Sequence, residues 1–206
     1  TKIDYCAFGG CSGLKSVTIP KDVEYLNPIN RFQDCAGLEH IEIAPGNKEY
    51  DSRGGCNAII ETRTNTLVFG GGKTIIPNSV TKIGDYAFYG RTGLTSITIP
   101  ASVTDIGAYA LACCYNLEHI CVEPGNPKYD SREGCNAIIE TETNTLIACC
   151  KSTKIPESVT KIHKYALSGS CLSQLTIHDS ITNIEICNGP DYYSRTHSDI
   201  ESISVD

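Results

Sequence analysis

The sequence contains no methionine and no tryptophan, and only 4 of its residues are phenylalanine. No stretch approaches the roughly eighteen consecutive apolar residues that a bilayer-spanning helix needs, so no membrane insertion is expected. A basic excess is also missing: 17 Lys and Arg stand against 24 Asp and Glu, for a net charge of -7. A nucleic-acid partner would require a basic face that displaces counterions, and a polybasic membrane anchor would require the same. Both classes are excluded. The chain opens on Thr1-Lys2-Ile3-Asp4-Tyr5-Cys6 with neither an initiating methionine nor a secretory leader. It reads as a fragment whose targeting segment is absent. There is no Asn-x-Ser/Thr glycosylation site and no Cys-x-x-Cys pair of the kind that zinc sites use. What remains is 206 residues with 40% hydrophobic and 20% charged side chains, a globular composition in a chain long enough to bury a core without staples.

Internal repetition organises that chain. Residues 45–77 return at 124–156, offset by 79 residues with about two-thirds of positions identical. Tyr50-Asp51-Ser52-Arg53 matches Tyr129-Asp130-Ser131-Arg132, and Gly55-Cys56-Asn57-Ala58-Ile59-Ile60-Glu61-Thr62 recurs from Gly134 to Thr141. Inside this long period a shorter unit places apolar residues at its positions 1, 4 and 6: Leu14/Val17/Ile19, Leu38/Ile41/Ile43, Leu94/Ile97/Ile99, Leu117/Ile120/Val122, Leu172/Leu175/Ile177 and Ile200/Ile203/Val205. Shortened versions end at Ile76 and Ile155. The spacings between unit ends run from 22 to 33 residues, which together with the Leu-x-x-Leu-x-Leu signature indicates a leucine-rich repeat solenoid. Alternation of β-branched and polar residues predicts a strand in each unit, stopped by Pro20, Pro77, Pro100 and Pro156, which have no N–H for a ladder.

The expected architecture is therefore a β-rich α/β solenoid of about eight parallel strand rungs, spanning 1–206 as one domain. At the roughly 4.8 Å spacing of neighbouring strands it would be about 34 Å long. Two of the steps carry an insertion, read as a Pro-Gly-Asn turn and a hairpin pairing Ala58–Thr62 with Thr66–Val68, and Ala137–Thr141 with Thr145–Ile147. After each proline comes Val80-x-x-Ile83-x-x-x-Ala87-Phe88 or its equivalents at Val103 and Val159, predicted as a brief extended piece and a tight helical or 3₁₀ turn on the back. Tyr86, Tyr109 and Tyr165 precede the plugging alanine and are expected to be partly buried.

Ile76-Pro77-Asn78-Ser79-Val80-Thr81-Lys82-Ile83-Gly84-Asp85-Tyr86-Ala87-Phe88-Tyr89-Gly90 closely resembles the consensus of the BspA-like leucine-rich repeats, also called the Treponema pallidum type, found in surface proteins of gut and oral anaerobes and some protozoa. The Gly-Cys-Asn-Ala-Ile-Ile-Glu-Thr insertion resembles Bacteroides-group members. The resemblance covers nearly the whole chain. It implies a secreted or cell-surface protein used in adhesion or recognition, and names no ligand. The unit at 180–206 departs most, with Asn188-Gly189-Pro190-Asp191-Tyr192-Tyr193 in place of the usual turn; it reads as a C-terminal cap or a decayed repeat.

Twelve cysteines in a secreted chain invite a disulfide framework. Under the 79-residue offset, however, only Cys35/Cys114 and Cys56/Cys135 match, whereas Cys113, Cys121, Cys149 and Cys150 face Asp34, Glu42, Gly70 and Gly71. Buried free thiols are the main reading, with Cys11, Cys35 and Cys114 filling a small apolar position and some disulfides as the alternative. Cys149 and Cys150 stay open as exposed, reactive thiols. Gly70-Gly71-Gly72-Lys73-Thr74 has the look of a phosphate loop but carries Leu67 where the first glycine would stand, so it is read as a plain connection. Asp51/Arg53 and Asp130/Arg132 are read as local pairs that fix their turns.

The outward strand positions define the candidate site: His40, Glu42, Lys73, Thr98, His119, Cys121, Lys154 and Thr176. His119 and Cys121 share a strand face, yet no third group orients them and the matching pair is His40 and Glu42, so surface residues are expected rather than a nucleophile and its base. No convergent acid, base and nucleophile point to an enzyme, and neither a cofactor nor a metal is implied. The expected function is a cell-surface or extracellular module for adhesion or for protein or glycan recognition through the open strand face. Candidate partners are a host matrix protein, a glycan or another bacterial surface, with self-association through uncapped ends as a further expectation. A structural spacer carrying other domains is the alternative.

Overall fold

The computed structural model of the chain describes residues 1–4, 7–27, 32, 35, 37–172, 174–185 and 202–205. In chain order its strands are β1 (Lys2–Ile3), β2 (Ser16–Ile19), β3 (Tyr25–Leu26), β4 (His40–Ile43), β5 (Tyr50–Asp51), β6 (Ala58–Glu61), β7 (Thr66–Gly70), β8 (Lys82–Ile83) and β9 (Ser96–Ile99). They continue as β10 (Asp105–Ile106), β11 (His119–Val122), β12 (Tyr129–Asp130), β13 (Ala137–Glu140), β14 (Thr145–Cys149), β15 (Lys161–Ile162), β16 (Gln174–Ile177), β17 (Asn183–Ile184) and β18 (Ser202–Val205). The result is a β-solenoid of about eight turns with almost no helix.

The four-residue strands form the front of the solenoid. In β4, β9 and β11 exposed and buried residues alternate strictly, as period-two patterning requires. Pairing is parallel and in register: β2 with β4 (Ser16 opposite His40), β9 with β11 (Ser96 opposite His119) and β16 with β18 (Gln174 opposite Ser202). Among the described residues the front is thus three two-stranded ladders, not one continuous sheet. The two turns ending at Ile76 and Ile155, expected as rungs, carry no strand. Their amides are taken by the insertion: Ile75 N donates to Cys56 O at 3.1 Å and Lys154 N to Cys135 O at 3.0 Å. On the ladder side, side chains of the insertion cap the open edge of β4, with Ile41 N donating to Asn57 Oδ1 (2.7 Å) and Ile43 N to Ser52 Oγ (3.0 Å).

The insertions do not hang off the coil. Hairpin β6–β7 gains β5 on one side and joins β8 in parallel on the other, so that five strands run in the order β10-β8-β7-β6-β5; the second copy repeats this as β12-β13-β14-β15-β17. This also explains Ala58-Ile59-Ile60, which breaks alternation because all three residues are buried. A bulge between Ile59 and Ile60 sends neighbouring side chains into different cores: Ile59 joins Ile19, Phe32 and Phe69, while Ile60 joins Leu67, Ile83 and Phe88. The hairpin strand is a partition apolar on both faces, and each fully buried Ile contributes about 1.5–3 kcal/mol.

One asparagine fastens each insertion turn to the preceding coil. Asn47 Nδ2 donates to Pro20 O (3.1 Å) and Val23 O (2.9 Å), while its Oδ1 accepts from the amides of Glu49 and Tyr50, both at 2.9 Å. Asn126 repeats all four bonds. Arg53 forms a two-pronged pair with Asp51 (2.8 and 2.7 Å) and reaches Asn65 at the hairpin tip (2.8 Å); Arg132, Asp130 and Asn144 do the same. These charged residues clamp their turns, as the local reading expects.

On the back, the segments following the short strands are hydrogen-bonded turns rather than helices, and the two 3₁₀ turns lie instead in the insertions, at Arg53–Gly55 and Arg132–Gly134. Left-handed backbone at Tyr86 (φ 56°) and Tyr109 (φ 53°) stops a helix from propagating, at a cost for bulky residues. The rings recover packing across turns, Tyr86 stacked on Tyr109 at 5.2 Å and Tyr109 tilted against Tyr165 at 4.0 Å.

The ten cysteines among the described residues are free thiols, seven of them buried. Cys35 Sγ donates to Phe8 O (3.0 Å) and Cys114 Sγ to Phe88 O (3.1 Å), the carbonyl of the turn before. Burial pushes the Cys114 thiol up to about 12. Arg91 occupies the same repeat position and serves the same end over a longer gap, donating to Phe32 O (2.9 Å) and Cys35 O (3.3 Å). Two expectations fail here. Cys11 is exposed, not core. Cys149 and Cys150 are not exposed thiols: they are 5% and 0% accessible, and burial raises Cys149 to about 12, where the nucleophilic thiolate is scarce.

Candidate recognition face

Seven of the eight candidate side chains reach solvent: His40, Glu42, Lys73, Thr98, His119, Cys121 and Lys154 are exposed, and Thr176 is half-buried. His40, Glu42, Thr98, His119, Cys121 and Thr176 each precede an apolar residue that pins the strand to the core, whereas Lys73 and Lys154 lie on the two segments that carry no strand. The eight do not make one continuous column. The interrupted ladders divide them into three groups.

His40, Glu42 and Lys73 meet in an open hollow on β2 and β4, completed by Ser16, Thr18, Ser52, Gly55 and Asn57. The insertion supplies its far wall, because Ser52 and Asn57 are drawn to the edge of β4 by the bonds described above. Lys73 leans to one side and donates to Glu39 Oε2 at 2.8 Å; Lys15 stands 3.9 Å from the same carboxylate. The Lys73 hydrogen bond and charge hold the Glu39 carboxyl below its ordinary range. Thr98, His119 and Cys121 form the second group on β9 and β11, with Thr98 directly opposite Cys121. Lys154 and Thr176 belong to a third, a hollow between the 151–155 turn and β16 that also takes in Lys151, Gln174 and His178.

Reading strand positions alone misses Ser52 and Asn57, which come from the insertion, and Lys151, which precedes the rung. Their signal lay in the 79-residue offset: Asn57 and Ser52 recur as Asn136 and Ser131, whereas Lys151 stands opposite Gly72. The glycines of the former phosphate-loop candidate are explained by packing. A Cβ on Gly70 would lie 2.1 Å from the Phe88 ring, on Gly71 3.1 Å from Ile41, and on Gly72 2.7 Å from the backbone of Gly93. Among the described residues no three His, Cys, Asp or Glu side chains cluster closely enough to hold a metal ion, and no helix is long and apolar enough to cross a membrane.

The two stacked faces, the 22- to 33-residue period and the parallel short strands define a leucine-rich repeat solenoid. The sequence pattern of the BspA type Leucine rich repeat region matches residues 1–54 and 72–188 in six copies, and the chain belongs to this family. Among solved structures it is similar to a leucine rich cell surface protein from Faecalibacterium prausnitzii, at 26% identity and a TM-score of 0.53 over 86% of this chain and 49% of that one. It is also similar to a leucine-rich repeat protein from Eubacterium ventriosum, at 22% identity and a TM-score of 0.53 over 97% of this chain and 66% of that one. The chain thus spans about half of the first protein's length and two-thirds of the second's. No curated protein matches it.

Proposed function

We propose that this chain is a recognition module of a cell-surface or secreted protein and that it binds through its front. The observation that carries the reading is the hollow over β2 and β4, where Ser16, Thr18, His40, Glu42 and Lys73 face solvent beside a wall built by the insertion. A solenoid that only spaced other domains would have no use for a shaped, polar concavity on its exposed strands. The likeness to a cell surface protein supports the location, and the lack of a convergent acid, base and nucleophile on this face favours binding over catalysis. Without aromatic anchors, each contact is weak, and affinity would build up along longer arrays of turns. The test is binding of the chain to a panel of host matrix proteins, glycans and bacterial cells at moderate and high salt. The expected result is saturable binding to one class, lost when His40, Glu42, His119 and Lys154 are changed together to alanine. Binding that survives this variant would move the site off the front; no binding at all would favour a spacer.

A further inference from the structure

The third group of front residues specifies a chemistry. Lys151, Lys154, Gln174 and Thr176 line one open hollow over an apolar floor of Ile155 and Leu175, with no carboxylate among its lining residues. In the first copy the two lysines are Gly72 and Ile75, so the pair of charges belongs to the second copy alone. Lys73 and Lys82 are paired with carboxylates, Lys73 with Glu39 at 2.8 Å and Lys82 with Asp105 at 2.7 Å. Lys151 and Lys154 make no ion pair among the described residues. At the matching place in the first copy, Gly72 lies against the backbone of Gly93, whereas the second copy carries Lys151 at the position of Gly72.

In a chain of net charge -7, two unpaired ammonium groups in one concavity repel each other unless an anion lies between them, and each offers three donors to it. Ser152 already donates to the carbonyl of Glu118, which leaves its oxygen as an acceptor for a sugar hydroxyl. Thr153 is used at both ends, donating to Asn136 O and accepting from Cys150 N, and the Gln174 amide is both donor and acceptor. A tight protein interface would want aromatic or arginine anchors, and the hollow has none. We infer that it binds a sulfated glycan, with Lys151 and Lys154 on one sulfate and Gln174 on the neighbouring sugar. This rests on the front being a recognition face, and names its ligand class at one place.

The experiment measures binding of a sulfated heparin oligosaccharide to the intact chain by calorimetry, with the chemically desulfated oligosaccharide and inorganic sulfate as parallel arms. The sulfated sugar is expected to bind, weakening as salt rises, with the desulfated sugar silent and free sulfate competing only at far higher concentration. Lys151→Glu with Lys154→Glu should weaken binding at least about tenfold, since each lysine contributes a charge-assisted bond. Lys151→Gln with Lys154→Gln should do the same with less demand on the fold. Lys21→Glu with Lys48→Glu changes the net charge equally and should leave binding intact. Equal binding of the desulfated sugar, equal potency of free sulfate, or an equal loss in the Lys21/Lys48 variant would overturn the inference. If the sulfated sugar does not bind while His40→Ala with Glu42→Ala abolishes binding to another partner, this inference falls and the recognition reading stands.

Discussion

The two insertion-bearing copies share a backbone plan and solve its packing differently. In the first, Gly70 leaves room for the Phe88 ring, Phe69 packs tilted against Phe32 at 4.6 Å, and Arg91 lies over Phe69 at 5.1 Å. In the second, the corresponding residues are Cys149, Leu167, Ala148 and Ser170. The bond from Gly70 N to Ala87 O (2.9 Å) survives as Cys149 N to Ala166 O (3.3 Å), and the Cys149 thiol donates to that same carbonyl at 3.0 Å. Volume removed at the aromatic positions returns as sulfur at the glycine position. Duplicated interiors conserve filled space and satisfied carbonyls, not residue identity.

The sharpest test exchanges one element of this swap at a time. Gly70→Cys alone should cost about 2–3 kcal/mol, because its side chain and the Phe88 ring claim the same space. Phe88→Leu alone should cost about 1 kcal/mol through the cavity it opens. Together they should recover at least about 1 kcal/mol relative to the sum, as contacting residues couple. Urea unfolding of the four proteins measures this, and strict additivity would break the comparison.

A middling effect separates the caps on the ladder edge. Asn57 bridges Ile41 N and Glu39 O, whereas near Asn136 the Glu118 carbonyl is met by Cys150 Sγ (3.2 Å) and Ser152. Both asparagines have left-handed backbone, so the strain that alanine brings is common to both. Asn57→Ala should therefore cost about 2 kcal/mol from two lost bonds, and Asn136→Ala about half of that, read as shifts in denaturation midpoint. Equal losses would mean that the amide bridge contributes nothing.

The smallest effect lies in the 3₁₀ turns, where Gly54 (φ 65°) corresponds to Glu133 (φ 58°). A left-handed residue with a Cβ is disfavoured, so Glu133→Gly should stabilise by about 0.5–1 kcal/mol and Gly54→Glu should destabilise by a similar amount. Thermal unfolding with opposite signs would confirm that the second turn is the strained one.

Much of the fold is legible in the sequence because its rules are local. Val17 and Ile19 alternate with Ser16 and Thr18, prolines end the rungs, and the duplicated Ala-Ile-Ile-Glu block announces the hairpins. The outward direction of His40 and His119 follows from the same alternation. What stays hidden depends on which backbone reaches an amide first. Ile75 and Lys154 lie on rung-like segments, but the insertion supplies Cys56 and Cys135 carbonyls to their N–H groups, and the strands there are lost. Burial of Cys149 likewise depends on Leu167 being smaller than Phe88, a relation between residues 18 apart that no local pattern encodes.

By itself the sequence determined the repeat, the positions of the ladder and hairpin strands, the family and the polar character of the exposed face, since each follows from periodicity within one unit or from the 79-residue offset between copies. Only the tertiary structure decided that the hairpins partition the core, that the front breaks into three ladders, and that the Lys151 and Lys154 charges share one hollow. Those outcomes arise where neighbouring turns compete for the same hydrogen bonds and the same space, and competition between turns is settled by how closely their backbones approach.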